Sequence, residues 1–196
     1  MIKGTYKPKF QKVYDILHNQ IKSDYELGAA VSVELNGEEV INLWGGYTSE
    51  SKEEFWEENT IVNVWSVTKA VTGACIAKLI SDEKLDINQK VSFYWPEYGV
   101  NGKENTKVID FLSHRAGMFG FQEGYPDANW NDWTIYTDAL QSQKPFREPG
   151  STQGYHAVTF AWLVGELIKR VDGRTVGNYF KDEFAKPLNL DFHIGL

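Results

Sequence analysis

The 196-residue sequence contains one cysteine, Cys75, no long apolar run and no stretch dense in lysine or arginine. A single cysteine excludes an internal disulfide and a multi-cysteine metal site. The longest nearly apolar segment, residues 70–77, is too short to cross a bilayer. Twenty basic and 27 acidic residues give a net charge of −7, which argues against nucleic-acid and membrane partners. Because the first residues also lack the apolar core of a signal peptide, we predict a cytoplasmic protein.

Several common catalytic motifs are also missing. The sequence has no G-x-S-x-G nucleophile elbow, no G-x-x-x-x-G-K-[ST] phosphate loop and no G-x-G-x-x-G dinucleotide motif. The histidines show no metal-ligand spacing with one another or with the cysteine, and isolated histidines are mostly structural; they are His18, His114, His156 and His193. We therefore expect neither a metal nor a cofactor.

The first quarter of the sequence predicts a helix followed by a β-hairpin. Apolar residues at helical spacing within residues 8–23 follow Pro8, a residue favoured at helix starts. Two alternating segments, 30–35 and 38–44, flank Asn36-Gly37, which is typical of a type I′ turn because both positions need positive φ. Only these two strands are apparent, and an isolated hairpin is marginally stable. Either helices do most of the packing, or the sheet needs strands that the sequence does not contain.

The remainder of the sequence is mostly helical by the same criteria. Apolar periodicity and capping residues predict four helices: residues 66–81, residues 106–114, residues 160–171 before Asp172-Gly173, and a last helix that Thr175 caps and that ends before Pro187. The middle of the sequence is polar and aromatic, and after the helix at residues 106–114 we predict turns at residues 115–117.

The spacing Ser-x-x-Lys occurs three times, beginning at Ser49, Ser66 and Ser81. With ten serines and 16 lysines in the sequence, chance occurrences are expected, so the surroundings must distinguish the three. Ser49 and Ser81 lie in charged segments, where nothing would desolvate the lysine. Ser66 lies where an apolar segment meets an apolar helix, so that Ser66 and Lys69 share one helical face in apolar surroundings.

The residues alone allow two interpretations of Ser66. A serine that caps a helix in a capping box is followed three residues later by Glu or Gln, but Lys69 stands there instead. A cation in the first turn opposes the helix dipole, and burial would disfavour its charge further. A nucleophilic serine beside a neutral amine that accepts its proton explains this arrangement better than a cap does.

Four motifs resemble those of one family. Ser66-Val-Thr-Lys69 at the start of an apolar helix resembles the first motif of the serine β-lactamase and penicillin-binding-protein superfamily. Three further segments resemble the branch that contains class C β-lactamases and related carboxylesterases. Residues 43–47 are similar to the end of its N-terminal strands, 111–117 to its L-L-x-H-x-[ST]-G turn, and 154–159 to its second catalytic motif. Because the motifs occur in the family's order, the resemblance covers nearly the whole chain.

The resemblance implies a mixed α/β (α+β) fold, in which an antiparallel sheet flanked by helices is joined to a helical region. It assigns Ser66 as the nucleophile, Lys69 and Tyr155 as its proton-transfer partners, and the Ser66 backbone N–H as one oxyanion donor. The implied reaction is hydrolysis of a small-molecule ester or amide through an acyl-enzyme, without a cofactor.

Two departures from the family's pattern refine this expectation. Ala157 occupies the third position of the Tyr-x-Asn motif, which removes an amide that would hold a lactam and favours an esterase. The third motif, K-T-G or His-x-Gly, has no match before Leu196, and the strand that carries it and the second oxyanion donor is missing as well. The chain is therefore predicted to be the N-terminal part of a longer domain, with helix, hairpin and nucleophile helix in residues 1–82 and a helical region in residues 83–196.

Other functions remain compatible with these residues. A non-catalytic acyl-ligand sensor or an inactive structural fragment would keep Ser66 and Lys69, and a β-lactamase or a D-amino-acid peptidase would apply the same chemistry to another substrate. The sequence leaves the natural substrate and the oligomeric state open. A hairpin without its sheet neighbours is expected to expose an unpaired edge and to favour self-association or aggregation.

Overall fold

The computed structural model describes residues 2–195, which divide into two compact units between Val62 and Asn63. We refer to residues 2–62 as the sheet unit and to residues 63–195 as the helical unit. None of the helices in the described part of the chain combines the length and the apolar character needed to cross a bilayer.

The sheet unit is a three-stranded antiparallel sheet with one helix packed against it. Its elements are β1 (Ile2–Tyr6), a 3₁₀ turn (Pro8–Phe10), α1 (Gln11–Lys22), β2 (Gly28–Leu35) and β3 (Glu38–Gly46). The strand order is β1-β3-β2, so β3 lies in the centre. Leu17 of α1 shares a small core with three residues of the central strand, Val40, Ile41 and Leu43.

The predicted hairpin is confirmed, including its turn. Asn36 and Gly37 both have positive φ, 54° and 78°, as a type I′ turn requires. The pairing of β2 with β3 aligns Val33 with Ile41, and a bulge follows between Val33 and Glu34. This register places the apolar residues of β3 in the core.

The first strand, β1, was not predicted, so the statement that the chain contains only two strands is wrong. Its five residues contain a glycine and two polar residues, which leaves no apolar alternation to indicate a strand. Gly4 has a φ of +100°, and a Cβ at this position would collide with the carbonyl of Asn42 in β3. The strand therefore depends on a close approach between two backbones, which a local sequence pattern does not reveal.

The helical unit consists of helices and turns joined by loops. Its elements are α2 (Val67–Ser81), α3 (Val91–Tyr94), a 3₁₀ turn (Pro96–Tyr98), α4 (Val108–Leu112), α5 (Trp133–Ser142), α6 (Thr159–Asp172), α7 (Val176–Phe180), a π-helical turn (Lys181–Ala185) and α8 (Lys186–Leu188). Helix α2, which the sequence analysis grouped with the hairpin, packs against α6 and α7 within this unit. The mixed fold class predicted from the sequence is confirmed.

The core of the helical unit is built around α6. Most of this helix is buried, and it packs against α2 and α5. It ends at Gly173, whose φ of 91° fits the predicted stop, and the Thr175 hydroxyl accepts a hydrogen bond from the Asn178 N–H as a helix cap. Large buried aromatic side chains fill the space around it: Trp95, Tyr98, Tyr136, Trp162 and Tyr179.

One prediction for this unit is wrong, and one helix was not predicted. The last helical segment does not end before Pro187 but continues through it to Leu188, because Pro187 lies in the first turn of α8, where its missing N–H is not needed. Helix α5 lies in the middle of the sequence, where no helix was predicted after residue 114. Its buried residues, Tyr136, Thr137 and Leu140, include polar and aromatic side chains, which obscured the helical apolar pattern.

Candidate active site

Ser66 and Lys69 lie at the start of α2, and Tyr155 and Ala157 lie in the loop that leads into α6. All four residues belong to the helical unit, and packing between α2 and α6 brings the two segments together. Ser66 occupies the position before the first helical residue, but its side chain makes no capping hydrogen bond. The capping interpretation of Ser66 is therefore not what the structure shows.

The Ser66 hydroxyl oxygen is the meeting point of two other side chains. The Lys69 ammonium nitrogen, Nζ, lies 3.1 Å from Ser66 Oγ, and the Tyr155 hydroxyl donates to the same Oγ at 2.8 Å. Lys69 Nζ also donates to the carbonyl oxygen of Ala157 at 2.8 Å. The structure thus brings together all three residues that the sequence analysis singled out, although Tyr155 is 89 positions from the serine.

The surroundings of Tyr155 favour its ionised form. The hydrogen bond with Ser66 lowers the pKa of the Tyr155 phenol, and the hydrogen bond and positive charge of Lys69 lower it further against the opposing effect of desolvation. Lys69 Nζ lies 5.2 Å from the centroid of the Tyr155 ring and 5.6 Å from that of Phe160, so the ammonium group is also close to two aromatic rings. The Tyr155 phenol therefore loses its proton more readily than a free tyrosine does, so that more of it is present as the phenolate, the form that can act as a base.

The predicted apolar surroundings of Ser66 are not found. Ser66 is exposed, Lys69 is half-buried, and the apolar neighbours Trp65 and Val67 are 80% and 58% exposed. Apolar residues adjacent in sequence therefore do not desolvate the serine, because they are themselves largely exposed. What distinguishes this Ser-x-x-Lys segment from the other two is its contact with the loop before α6.

The backbone before Ser66 adopts a strained conformation. Trp65 has a φ of 46°, an unusual value for a bulky side chain, and its N–H donates to the Asn63 side-chain oxygen at 2.9 Å. The Ser66 N–H has no hydrogen-bond acceptor among residues 2–195. This arrangement leaves the N–H available for an oxygen atom of a bound molecule.

The other two Ser-x-x-Lys segments do not pair their serine with their lysine. Ser49 is hydrogen-bonded to the hydroxyl of Ser51, while Lys52 forms an ion pair with Asp24 at 2.6 Å. Lys84, three residues after Ser81, interacts with Asp172 at 3.4 Å. Among the described residues, Ser66 is therefore the only one of the three serines that contacts the lysine of its own segment.

Two histidines that the sequence analysis treated as structural lie beside the site. The His114 ring packs edge-on against the Tyr155 ring, with 4.8 Å between centroids, and it also packs against His156. Both histidines occur inside the segments that carried the family resemblance. Their position in these segments was the only feature of the sequence that could have indicated a place beside the site. A cavity of about 700 Å³ between residues 121–127 and 139–145 contains none of these site residues.

The fold combines an antiparallel sheet with helices, and a serine, a lysine and a tyrosine meet at the start of one helix. This combination is the one expected for the family that the four motifs resemble. The family model described as Beta-lactamase matches residues 16–195, and the chain belongs to this family. Among curated relatives, the chain is 31% identical over 193 residues to "Esterase/beta-lactamase LipL" of Mycobacterium tuberculosis. This match covers 98% of the chain and 44% of the relative.

Solved structures give the same result. A penicillin-binding-protein homolog from Caulobacter crescentus aligns with a TM-score of 0.93 and 35% identity, over 100% of this chain and 53% of that one. A family VIII carboxylesterase aligns with a TM-score of 0.90 and 36% identity, over 100% of this chain and 54% of that one. The chain therefore spans about half the length of the proteins that it matches. The predicted superfamily is confirmed.

Proposed function

We propose that the chain carries the nucleophile and proton-transfer residues of an esterase-like serine hydrolase. The observation that supports this proposal is the convergence of Lys69 Nζ and the Tyr155 hydroxyl on Ser66 Oγ, at 3.1 and 2.8 Å. A serine hydroxyl is a weak nucleophile until an adjacent base takes its proton, and both partners lie within hydrogen-bond distance. The names of the relatives, an esterase/β-lactamase and a carboxylesterase, fit a hydrolase of this type.

In the proposed acylation step, Ser66 Oγ attacks the carbonyl carbon of an ester. The hydroxyl proton passes to the Tyr155 phenolate or to the neutral Lys69 amine, and the Oγ–C bond forms. The tetrahedral intermediate then collapses, the bond to the alcohol breaks, and the alcohol leaves with that proton. Water attacks the acyl-enzyme in the same way and releases the acid.

The negative charge of the tetrahedral intermediate needs hydrogen-bond donors. The Ser66 N–H is one candidate, since it has no acceptor among the described residues. The family resemblance implies that the second donor comes from a later strand that residues 2–195 do not include. Loss of one such donor costs about 10²–10³ in rate. We therefore propose that the isolated chain acylates slowly and that the complete domain turns over efficiently.

Ala157 supports an ester as the substrate rather than a β-lactam. Its carbonyl oxygen accepts the Lys69 hydrogen bond, and its exposed methyl group has no donor or acceptor for a lactam amide. A full-length protein that contains this chain is expected to hydrolyse short-chain nitrophenyl esters faster than cephalosporins. Faster cephalosporin turnover would contradict this assignment.

Covalent labelling tests the nucleophile directly. A fluorophosphonate probe phosphonylates a reactive serine: the Oγ–P bond forms, the P–F bond breaks, and fluoride leaves with the serine proton as HF. Mass spectrometry then locates the adduct. We expect labelling of Ser66 in the intact chain and its loss in Ser66→Ala. Ser49→Ala and Ser81→Ala serve as matched controls from the other two Ser-x-x-Lys segments and should label normally. Labelling that survives Ser66→Ala would refute the proposal.

An acyl-ligand sensor would give the same adduct, so labelling alone does not establish an enzyme. Incubation with a nitrophenyl ester separates the two functions, because an enzyme releases more than one equivalent of nitrophenol and a sensor stops after one. An inactive fragment would release none beyond the uncatalysed background.

A further inference from the structure

The segment that carries Tyr155 is hydrogen-bonded to the loop that follows α4. The Gly154 N–H donates to the His114 carbonyl at 2.9 Å, and the Thr159 hydroxyl donates to the Met118 carbonyl at 2.6 Å. Between these two bonds lie Tyr155 and the two histidine side chains, His114 and His156. The region around Tyr155 is therefore held by contacts that are separate from the nucleophile itself.

The hydrogen bonds of the two imidazole rings fix their tautomers. His156 Nε2 accepts the Met118 N–H at 3.1 Å, so the ring proton of a neutral His156 is on Nδ1. His114 Nδ1 accepts the His156 backbone N–H at 3.2 Å and lies 3.3 Å from His156 Nδ1. His114 Nδ1 is therefore an acceptor, and the proton of His114 is on Nε2. Protonation of either ring would place a second donor against one of these N–H groups.

The pair fixes the two groups that contact Ser66 and Lys69. His156 lies between Tyr155 and Ala157, and its backbone N–H is the one held by His114. The His114 ring also packs edge-on against the Tyr155 ring, with 4.8 Å between centroids. Displacement of this short segment would move the Tyr155 hydroxyl and the Ala157 carbonyl together.

The electrostatic surroundings keep both rings neutral. His156 is fully buried, and this burial, together with His114, lowers the pKa of His156 to about 4. Burial also lowers the pKa of His114, and the positive charge of Lys69 adds to this effect. The titratable groups that face the pair are Lys69, Tyr155 and the two imidazoles themselves. No carboxylate is hydrogen-bonded to either ring in the part of the chain that the structure describes.

We propose that His114 and His156 form a neutral positioning pair that holds Tyr155 and the Ala157 carbonyl in place for proton transfer at Ser66. This inference rests on the proposed function, since it concerns the reactivity of the same serine. Neither histidine contacts Ser66 Oγ, so the pair acts through Tyr155 and Lys69.

The conformation of His114 provides a matched pair of variants. Its φ is 59°, a value that Gly and Asn tolerate better than other residues do. His114→Gly removes the acceptor for the His156 N–H without adding backbone strain. His114→Asn also fits this conformation and supplies a side-chain oxygen near the position of Nδ1. His193→Asn, at an exposed histidine, controls for loss of a histidine elsewhere in the helical unit.

Three measurements on the intact chain test the pair. The rate of Ser66 labelling by a fluorophosphonate should fall about tenfold to a hundredfold in His114→Gly, as expected for a misplaced catalytic group, and should recover in His114→Asn. The Tyr155 phenol, followed by NMR of ¹³Cζ-labelled tyrosine, should titrate below its normal range in the wild type and in His114→Asn, and higher in His114→Gly. Imidazole ¹⁵N shifts should report Nδ1–H in His156 and Nε2–H in His114.

The outcomes separate this inference from the proposed function. Absence of labelling in the wild type would refute the proposed function and, with it, the catalytic role of the pair. Wild-type labelling with an unchanged rate and an unchanged Tyr155 titration in a folded His114→Gly would refute the positioning role alone. A slow His114→Gly that His114→Asn does not rescue would also refute it, as would the opposite tautomers.

Discussion

The two units of the molecule differ in how completely they bury their apolar residues. Among the described residues, the helical unit has a core cluster of 23 buried residues, whereas the core of the sheet unit contains four. Val33 and Leu35 on β2 remain 37% and 45% exposed. Because burial of apolar area is the main stabilising contribution to folding, the helical unit has a much larger stabilising contribution from its core than the sheet unit has.

This difference matters for the site, because Ser66, Lys69 and Tyr155 all lie in the well-packed unit. Each is at its surface, at the start of or just before a helix that packs into the core: α2 for the first two and α6 for the third. Catalytic geometry needs such rigid support, since small displacements reduce rates strongly. The sheet unit presents instead an incompletely covered strand.

The largest expected effect concerns the two partners of the nucleophile. Lys69→Ala and Tyr155→Phe should each lower the rate of Ser66 phosphonylation by about 10²–10⁴, the usual contribution of a positioned acid or base. Lys52→Ala, the equivalent lysine in the sheet unit, should leave the rate unchanged. The measurement is the pseudo-first-order labelling rate with a fluorophosphonate. Equal labelling rates in Lys69→Ala and Lys52→Ala would show that Lys69 does not assist the reaction of Ser66.

A second prediction compares one leucine from each unit. Leu167→Ala removes a fully buried side chain of α6 and should reduce the free energy of unfolding by about 2–5 kcal/mol. Leu35→Ala, on the exposed β2 strand, should change it by less than about 0.5 kcal/mol. Urea unfolding followed by the helical circular-dichroism signal measures both. Similar decreases in the free energy of unfolding for the two variants would show that the difference in burial between the two units does not affect stability.

Local chemistry was enough to predict much of the fold. The turn at Asn36-Gly37 needs only its own backbone preferences, and Gly173 ends α6 for the same reason. The proximity of Ser66 and Lys69 follows from helical spacing alone. Elements that depend on distant partners were missed: β1 exists because Gly4 lets it approach β3, and no apolar pattern accompanies it.

The candidate site was predictable in part. Tyr155 is 89 residues from Ser66, so only the family resemblance, and no local pattern, indicated that it would lie there. The exposure of Ser66 contradicted the expectation drawn from its apolar neighbours, because Trp65 and Val67 are themselves largely exposed. The role proposed for His114 and His156 depends on hydrogen bonds across 42 positions, which the sequence does not specify.

The third prediction concerns His156, which is fully buried in the helical unit. The sheet unit has no fully buried histidine among residues 2–62. An unfolded histidine binds a proton near pH 6.5, whereas burial lowers the pKa of His156 to about 4. The unfolded state therefore binds more protons between these values, and stability must fall as pH falls from about 6.5 to about 4. The loss from this residue should reach up to about 3 kcal/mol.

His156→Gln provides the control for the pH prediction. It removes the titrating group but keeps an acceptor for the Met118 N–H, so the slope of unfolding free energy against pH should become flatter across this interval. His114, whose pKa burial also lowers, should account for part of the slope that remains. An unchanged slope in His156→Gln would show that His156 does not contribute to the acid sensitivity.

The smallest change in the free energy of unfolding is expected for a substitution at the edge of β2. This substitution also tests the sheet unit most directly. This strand pairs only with β3 among the described residues, so its other side carries unpaired backbone groups beside partly exposed apolar side chains. Such an edge favours pairing with another chain. We therefore predict that the isolated chain self-associates and binds a hydrophobic dye. Val33→Lys should reduce both properties while changing unfolding free energy by less than about 0.5 kcal/mol.

A matched variant in the helical unit makes this last comparison specific. Leu188→Lys also replaces an exposed apolar residue, 62% accessible to solvent, with a lysine, but it lies at the end of α8 and not on a strand edge. It should leave association unchanged, because a helix end offers no row of free backbone donors and acceptors to a second strand. Sedimentation velocity at several concentrations measures the outcome. A monodisperse wild-type monomer without dye binding would refute the prediction, and equal effects of the two lysines would attribute association to apolar exposure in general.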